Sequence, residues 1–136
     1  MGRRGSGQRC SVSVPSGAWL ATPQKELTGA RKVIVTLGAY GYEWNDADNK
    51  LNGSTVTFQD VMRLAKENNA TVKFDSTMLN PFVAWSEPDG TDHVSWFLDA
   101  ATAWNQSKAS VKRRTAGAAI WRLGSEDPSI WRAISN

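Results

Sequence analysis

The stretch Lys32-Val-Ile-Val-Thr-Leu-Gly-Ala-Tyr-Gly-Tyr-Glu-Trp44 decides how this chain is read. Val33, Ile34, Val35, Thr36 and Leu37 make a nearly continuous apolar and β-branched run. Such a run predicts a strand over residues 32–39 that is buried on both faces, as in a parallel sheet. The run then releases Tyr40 and Trp44 and passes into a polar loop, Asn45 to Ser54. A second stretch, Ala116-Gly-Ala-Ala-Ile-Trp-Arg-Leu-Gly-Ser-Glu-Asp-Pro128, repeats the design. Its small residues from Gly117 to Ala119 let neighbouring chains approach closely, and Trp121 closes the strand. Ligands gather at the carboxyl ends of parallel strands in α/β folds. Tyr40, Trp44 and Trp121 are therefore the candidate binding residues.

Between the two strands the periodicity changes. Thr57, with Asp60 three residues on, has the spacing of a helix capping box. Phe58, Val61, Met62 and Ala65 then form one apolar stripe of a helix that stops at Asn68-Asn69. Thr71 to Phe74, Phe82 to Ser86 and His93 to Phe97 read as short strands, the last two joined by the turn Glu87-Pro-Asp-Gly90. These pieces predict a small antiparallel α+β insertion over about 55–98. Asp99 can cap a further helix to about Val111, with Ala100, Trp104 and Val111 facing inward. Asp127 reads as the cap of a last helix, with Pro128 at its first position and Ile130, Trp131 and Ile134 following.

Composition narrows the function. The 136 residues are enough for one domain with a core, and 40% hydrophobic and 21% charged content is that of a globular protein. No apolar run approaches the roughly 20 residues of a membrane-spanning helix. Residues 1–17, rich in Gly, Ser and Arg, read as a disordered leader, and no apolar segment makes them a secretory signal. Cys10 is the single cysteine, so neither an internal disulfide nor a cysteine-built metal site is available. The net charge is +3, and eight of the sixteen basic residues fall in three small groups: Arg3, Arg4 and Arg9; Arg31 and Lys32; Lys112, Arg113 and Arg114. Groups of that size ahead of strands are solvated ends, and no nucleic-acid motif accompanies them.

Seven tryptophans offer two readings each. An aromatic ring can stack on the C–H face of a sugar or fill a core. Trp85, Trp96 and Trp104 fall within elements and read as core, as does Trp131 on the last helix. Tyr40 and Trp121 stand where either role fits. Glycosidic hydrolysis needs a protonated carboxylic acid beside the leaving oxygen. Glu43, Asp46, Asp48, Asp99, Glu126 and Asp127 are the candidate carboxyls, and none sits in a strand-end pattern that would bury it and raise its pKa. Asp46, Asp48 and Asn52 have the wrong companions for a calcium loop, because Lys50 intrudes and the required Gly and Glu are missing. Phosphate-loop, dinucleotide and nucleophile-elbow motifs are absent from the sequence. His93, the single histidine, reads as structural. No cofactor or metal and no catalytic residue is assigned.

With these residues in view, three segments resemble glycoside hydrolase family 18, which includes chitinases and spore-germination peptidoglycan hydrolases. Lys32 to Trp44 resembles its seventh barrel strand. Asn80-Pro-Phe-Val-Ala-Trp85 with Asp89 to Asp99 resembles the insertion and following helix of the bacterial branch. Gly117 to Trp131 resembles its eighth strand and exit. The resemblance implies a partial (β/α)8 barrel, the last two strands plus the insertion, with residues 18–136 as the C-terminal portion of such a domain. It implies Trp121 under the sugar at the cleavage subsite and Tyr40, with Trp44, along the groove. The family's Asp-x-x-Asp-x-Asp-x-Glu motif, which carries its acid, does not occur here, nor does its Tyr-Asp pair. The family is often extracytoplasmic.

A complete barrel takes about 250 residues, and two barrel-type strands alone leave open edges. Three expectations follow. The chain is a carbohydrate-binding piece for N-acetylglucosamine polysaccharides of chitin or peptidoglycan type without the acid, or it completes a split glycosidase with another chain or a missing N-terminal segment, or it is a non-catalytic protein-interaction module.

Overall fold

The computed structural model describes residues 30–47 and 52–135. The expected leader lies outside them, as do Asp48 and Lys50. The elements run β1 (Ile34–Gly38), β2 (Gly41–Asn45), β3 (Asn52–Val56), α1 (Phe58–Glu67), β4 (Lys73–Asp75), β5 (Asn80–Ser86), β6 (Asp92–Trp96), α2 (Ala100–Lys112), β7 (Gly117–Trp121) and α3 (Ile130–Ile134). They form two sheets. β1 and β7 pair in parallel, from Ile34 opposite Gly117 to Gly38 opposite Trp121. The other five strands form an antiparallel sheet in the order β3-β2-β6-β5-β4.

The parallel pair is covered on one side. Val35, Leu37 and Ile120 join Ala39, Leu98, Ala103, Ile130 and Ile134 in a core built with α2 and α3. The alternating residues face away: Ile34 is 61% exposed, Trp121 is 62% exposed, and Thr36 and Ala119 are open as well. The continuous apolar run predicted burial on both faces, and among the described residues nothing lies on the second.

A second core supports the antiparallel sheet. Val61 and Ala65 of α1 pack on Val83 and Phe97, with Val56, Phe58, Met62 and Trp85 around them. The stripe read from the sequence is the one buried. The capping box forms as expected: Thr57 Oγ1 accepts from the Asp60 N–H at 3.1 Å, and Asp60 Oδ2 accepts from the Thr57 N–H at 3.1 Å. Phe58 stacks edge-on against Phe97 with centroids 5.8 Å apart.

Four sequence expectations need correction. The stretch read as a polar loop after Trp44 contains β3, and Gly41–Asn45 is itself a strand, so the antiparallel sheet begins at Gly41 and not near residue 55. Consecutive Asn and Asp residues masked the strand signal. Helix α2 buries Thr102, Ala103, Gln106 and Ser110, while Trp104 is 40% and Val111 71% exposed, so the inward stripe is the small and polar one. Trp131, read as core, is 45% exposed and donates from Nε1 to Glu126 Oε1 at 3.2 Å. Asp127 does not cap α3, whose N-cap is Ser129 without a side-chain bond. Its buried carboxylate instead accepts from the Ala100 N–H of α2 at 2.9 Å and from the Ser129 N–H at 2.9 Å. That carboxylate ties the loop after β7 to the start of α2.

Candidate functional site

Tyr40 and Trp121 stand at the same end of neighbouring parallel strands. Gly38 pairs with Trp121, and the Ala39 N–H donates to the Trp121 carbonyl at 2.6 Å, so Tyr40 leaves the sheet one residue past that bond. Trp121 is the more open of the two, and the Trp121–Arg122 peptide is cis. Two residues, Ala39 and Tyr40, separate β1 from β2. The chain therefore passes directly from the parallel pair into the antiparallel sheet.

The aromatic residues at 40, 42 and 44 share one face because side chains alternate along a strand. Tyr40 meets Tyr42 edge-on at 5.9 Å, and Tyr42 lies nearly parallel to Trp44 at 6.0 Å. Trp44 is thus part of a strand, paired with Val94 and Gly53, and not the start of a loop. Its ring lies over Gly53, where a Cβ would collide with it. On the same face Tyr42 pairs with Trp96, which stacks on Phe82 at 4.8 Å. Past Trp44, an open cleft of about 450 Å³ is lined by Asp46, Ala84, Ser86, Asp92 and Val94 among others. Trp96, expected as core, is a member of this half-buried aromatic face. Sequence reading missed Tyr42, although the period-two spacing of 40, 42 and 44 was its signal.

The candidate carboxyls among the described residues have partners. Glu43, 15% exposed, contacts His93 Nδ1 at 2.6 Å and accepts from Ser54 Oγ at 3.4 Å. His93 Nε2 lies 3.4 Å from Glu87 Oε1, and Trp85 stacks flat on the imidazole at 4.9 Å. This assembly joins strands β3, β2, β6 and β5 on the α1 side of the sheet, so His93 binds strands together. Asp46 accepts from the Asp92 N–H at 2.8 Å, and Asp99 caps α2 through the Thr102 N–H at 2.7 Å. Three of the described carboxyls have a pKa held below its ordinary value: Asp60 through the Thr57 hydroxyl and amide, Asp89 through Thr91, and Glu126 through backbone N–H groups, its own first. A lowered pKa suits a carboxylate and not a proton donor. Among the described residues no cluster of three or more His, Cys, Asp or Glu could hold a metal, and no helix is long and apolar enough to cross a membrane.

The chain is similar in sequence and fold to known proteins. The chain is 30% identical over 108 residues to the uncharacterized glycosylase YvbX of Bacillus subtilis, a match covering 77% of this chain and 30% of that protein. It is 26% identical over 109 residues to the cortical fragment-lytic enzyme of the same organism, covering 79% of this chain and 25% of the enzyme. Among solved structures, a chitinase from Chromobacterium violaceum superposes with a TM-score of 0.70 at 23% identity, over 81% of this chain and 34% of the chitinase. The spore cortex-lytic enzyme SleL of Bacillus megaterium superposes equally well, with a TM-score of 0.70 at 23% identity, over 79% of this chain and 25% of SleL. This chain is similar to family 18 glycoside hydrolases. The resemblance read from three segments of sequence therefore holds, and the fold is the α/β arrangement of the chitinase and SleL domains. No family model matches the chain. It spans about a quarter to a third of the length of these relatives.

Proposed function

We propose that this chain is a carbohydrate-contacting part of a family 18-like protein, acting on N-acetylglucosamine-containing polysaccharide of chitin or peptidoglycan type. In this reading β1 and β7 are the last two staves of a partial (β/α)8 barrel. The antiparallel sheet is the insertion beside the groove. The observation that carries the proposal is the placement of Tyr40 and Trp121 side by side at the carboxyl ends of parallel neighbours. Trp121 offers an open indole face for stacking on a sugar. Tyr40, Tyr42 and Trp44 form a run of neighbouring aromatic rings leading from the end of β1 along β2.

The reading assigns this chain no proton donor. Its sequence lacks the resembled family's acid motif, and the candidate carboxyls among the described residues cap helices, brace strands or loops, or are lowered in pKa. Binding without hydrolysis is the outcome expected of the chain alone. Titration with N-acetylglucosamine oligomers should change tryptophan fluorescence, and Trp121→Ala should remove the response while leaving the circular dichroism unchanged. Retention of the full response in Trp121→Ala would refute the assignment. So would hydrolysis of the oligomers by the purified chain, lost on substituting one of its own carboxylates.

A further inference from the structure

The amino ends of the parallel pair gather positive charge. The Ala116 N–H donates to the Val33 carbonyl at 2.8 Å, and Ile34 pairs with Gly117, so β1 and β7 begin abreast. Arg31 and Lys32 close the 3-10 turn ahead of β1, and Lys112, Arg113 and Arg114 end α2 just ahead of Ala116. Two basic groups that are far apart in sequence, and that singly read as solvated ends, therefore meet at one end of the fold. Arg31, Lys32, Lys112 and Arg114 are exposed and Arg113 is half-buried, and none of the five forms an ion pair among the described residues. Residues 30–42 and 100–125 contain no Asp or Glu to offset them. A helix end accounts for only part of this charge, because the carbonyl terminus of α2 carries the equivalent of about half a negative charge. Arg114 also stands in the left-handed region at φ 55°, where glycine or asparagine sits with less strain. Backbone bonds fix the turn: the Arg113 and Arg114 N–H groups donate to the Ser110 and Val111 carbonyls at 3.1 and 2.9 Å.

We infer that this end of the parallel pair is a binding surface for a polyanion, and that its ligand is a carboxylate-bearing glycan of the peptidoglycan type, not neutral chitin. The inference deepens the proposed function and rests on it for the choice of polymer. Trp121 closes the strand that Gly117 opens, about 13 Å further along it. One pair of strands thus holds an aromatic face for a sugar ring at one end and unpaired cations at the other. A peptidoglycan meshwork offers both sugar faces and the carboxylates of its lactyl and peptide groups, and it places neighbouring glycan strands at both ends of the pair. Chitin offers the rings alone. Duplex nucleic acid or an anionic bilayer would satisfy the cations and leave Trp121 without a role.

Co-sedimentation of the full 136-residue chain with purified peptidoglycan and with chitin is the test. Binding to peptidoglycan should be about tenfold tighter at low salt, and the difference should vanish at roughly 0.5 M salt as the charges are screened. The double variant Lys112→Gln/Arg114→Gly should lose most of that difference. Arg114→Gly alone relieves the left-handed strain, so its melting temperature should not fall while its peptidoglycan binding weakens about threefold. A purely structural role for Arg114 would move stability and binding together. Lys66→Gln removes a cation from α1 and should leave peptidoglycan binding unchanged. An equal loss there would mean that net charge alone is read, which overturns the inference. Equal affinity for the two polymers overturns it, as does peptidoglycan binding untouched by the double variant. Tighter binding to duplex DNA or to phosphatidylglycerol vesicles than to peptidoglycan would also overturn it, since the polyanion would then be another. A salt-sensitive preference for peptidoglycan without any fluorescence response to N-acetylglucosamine oligomers would refute the proposed function and leave the basic surface standing. An oligomer response without that preference would do the reverse.

Discussion

Asp127 shows how much one buried carboxylate can organise. It receives the Ala100 N–H, the Ser129 N–H and the Ser129 hydroxyl, at 2.9, 2.9 and 2.6 Å. Replacing it with Ala leaves two backbone donors without partners at a site that is 8% exposed. The expected loss is about 2 kcal/mol, measurable as a lower midpoint in urea unfolding. Gly53 is the other residue that its neighbour dictates, because the Trp44 ring lies against its backbone. Gly53→Ala should displace that ring and cost about 1–3 kcal/mol. The displacement would appear as a change in the indole signals and in the urea midpoint. An unchanged spectrum would mean that the ring does not rest on Gly53.

At the level of elements, α1 is the part whose origin in the sequence is clearest. Its capping box, apolar stripe and stop at Asn68 all form where the spacing places them. Thr57→Ala should cost about 1 kcal/mol of stability. The same contact makes stability depend on pH. The Thr57 hydroxyl and amide hold the Asp60 carboxyl below its ordinary 3.8. The contribution is therefore present above that value and lost as pH falls through the lowered one. In Thr57→Ala, acid unfolding should lose this component, so the gap between wild type and variant should narrow as the pH drops through that window. The parallel strands were equally legible, down to the neighbouring ends of β1 and β7. The helix α2 was not, since an apolar stripe read from spacing says which residues want burial, not whether the partner that buries them is present. Strands β2 and β3 were hidden because the Asn and Asp residues from 45 to 52 that join them weigh against strand, whereas pairing of β2 with β6 and with β3, and the ring of Trp44 over Gly53, override that local preference. At the site, Tyr40 and Trp121 were visible from their strand-end positions. The bracing of Glu43 by His93 was not, because it joins residues 50 apart in sequence.

Across the whole molecule the two sheets are unequally secured. Among the described residues the antiparallel sheet has five strands and a helix on one face, whereas the parallel one has two strands, unpaired outer edges and one uncovered side. Two-stranded sheets are marginal by themselves. Backbone amides of β5 and β6 should therefore outlast those of β1 and β7 in hydrogen exchange. Equal protection of both sheets would show that the parallel pair needs nothing further to be stable.

The helix of the antiparallel unit is fastened to the loop that leaves β7: the Phe58 N–H donates to the Ser125 carbonyl at 2.9 Å, and Gln59 Nε2 donates to the Glu126 carbonyl at 3.2 Å. With β1 running into β2 through two residues, that unit is pinned at two points instead of hanging from one hinge. A molecule resting on Trp121 would meet it at a set gauge, and spin labels on α1 and on the β7 exit should report a single narrow distance, unmoved by whatever occupies the space between.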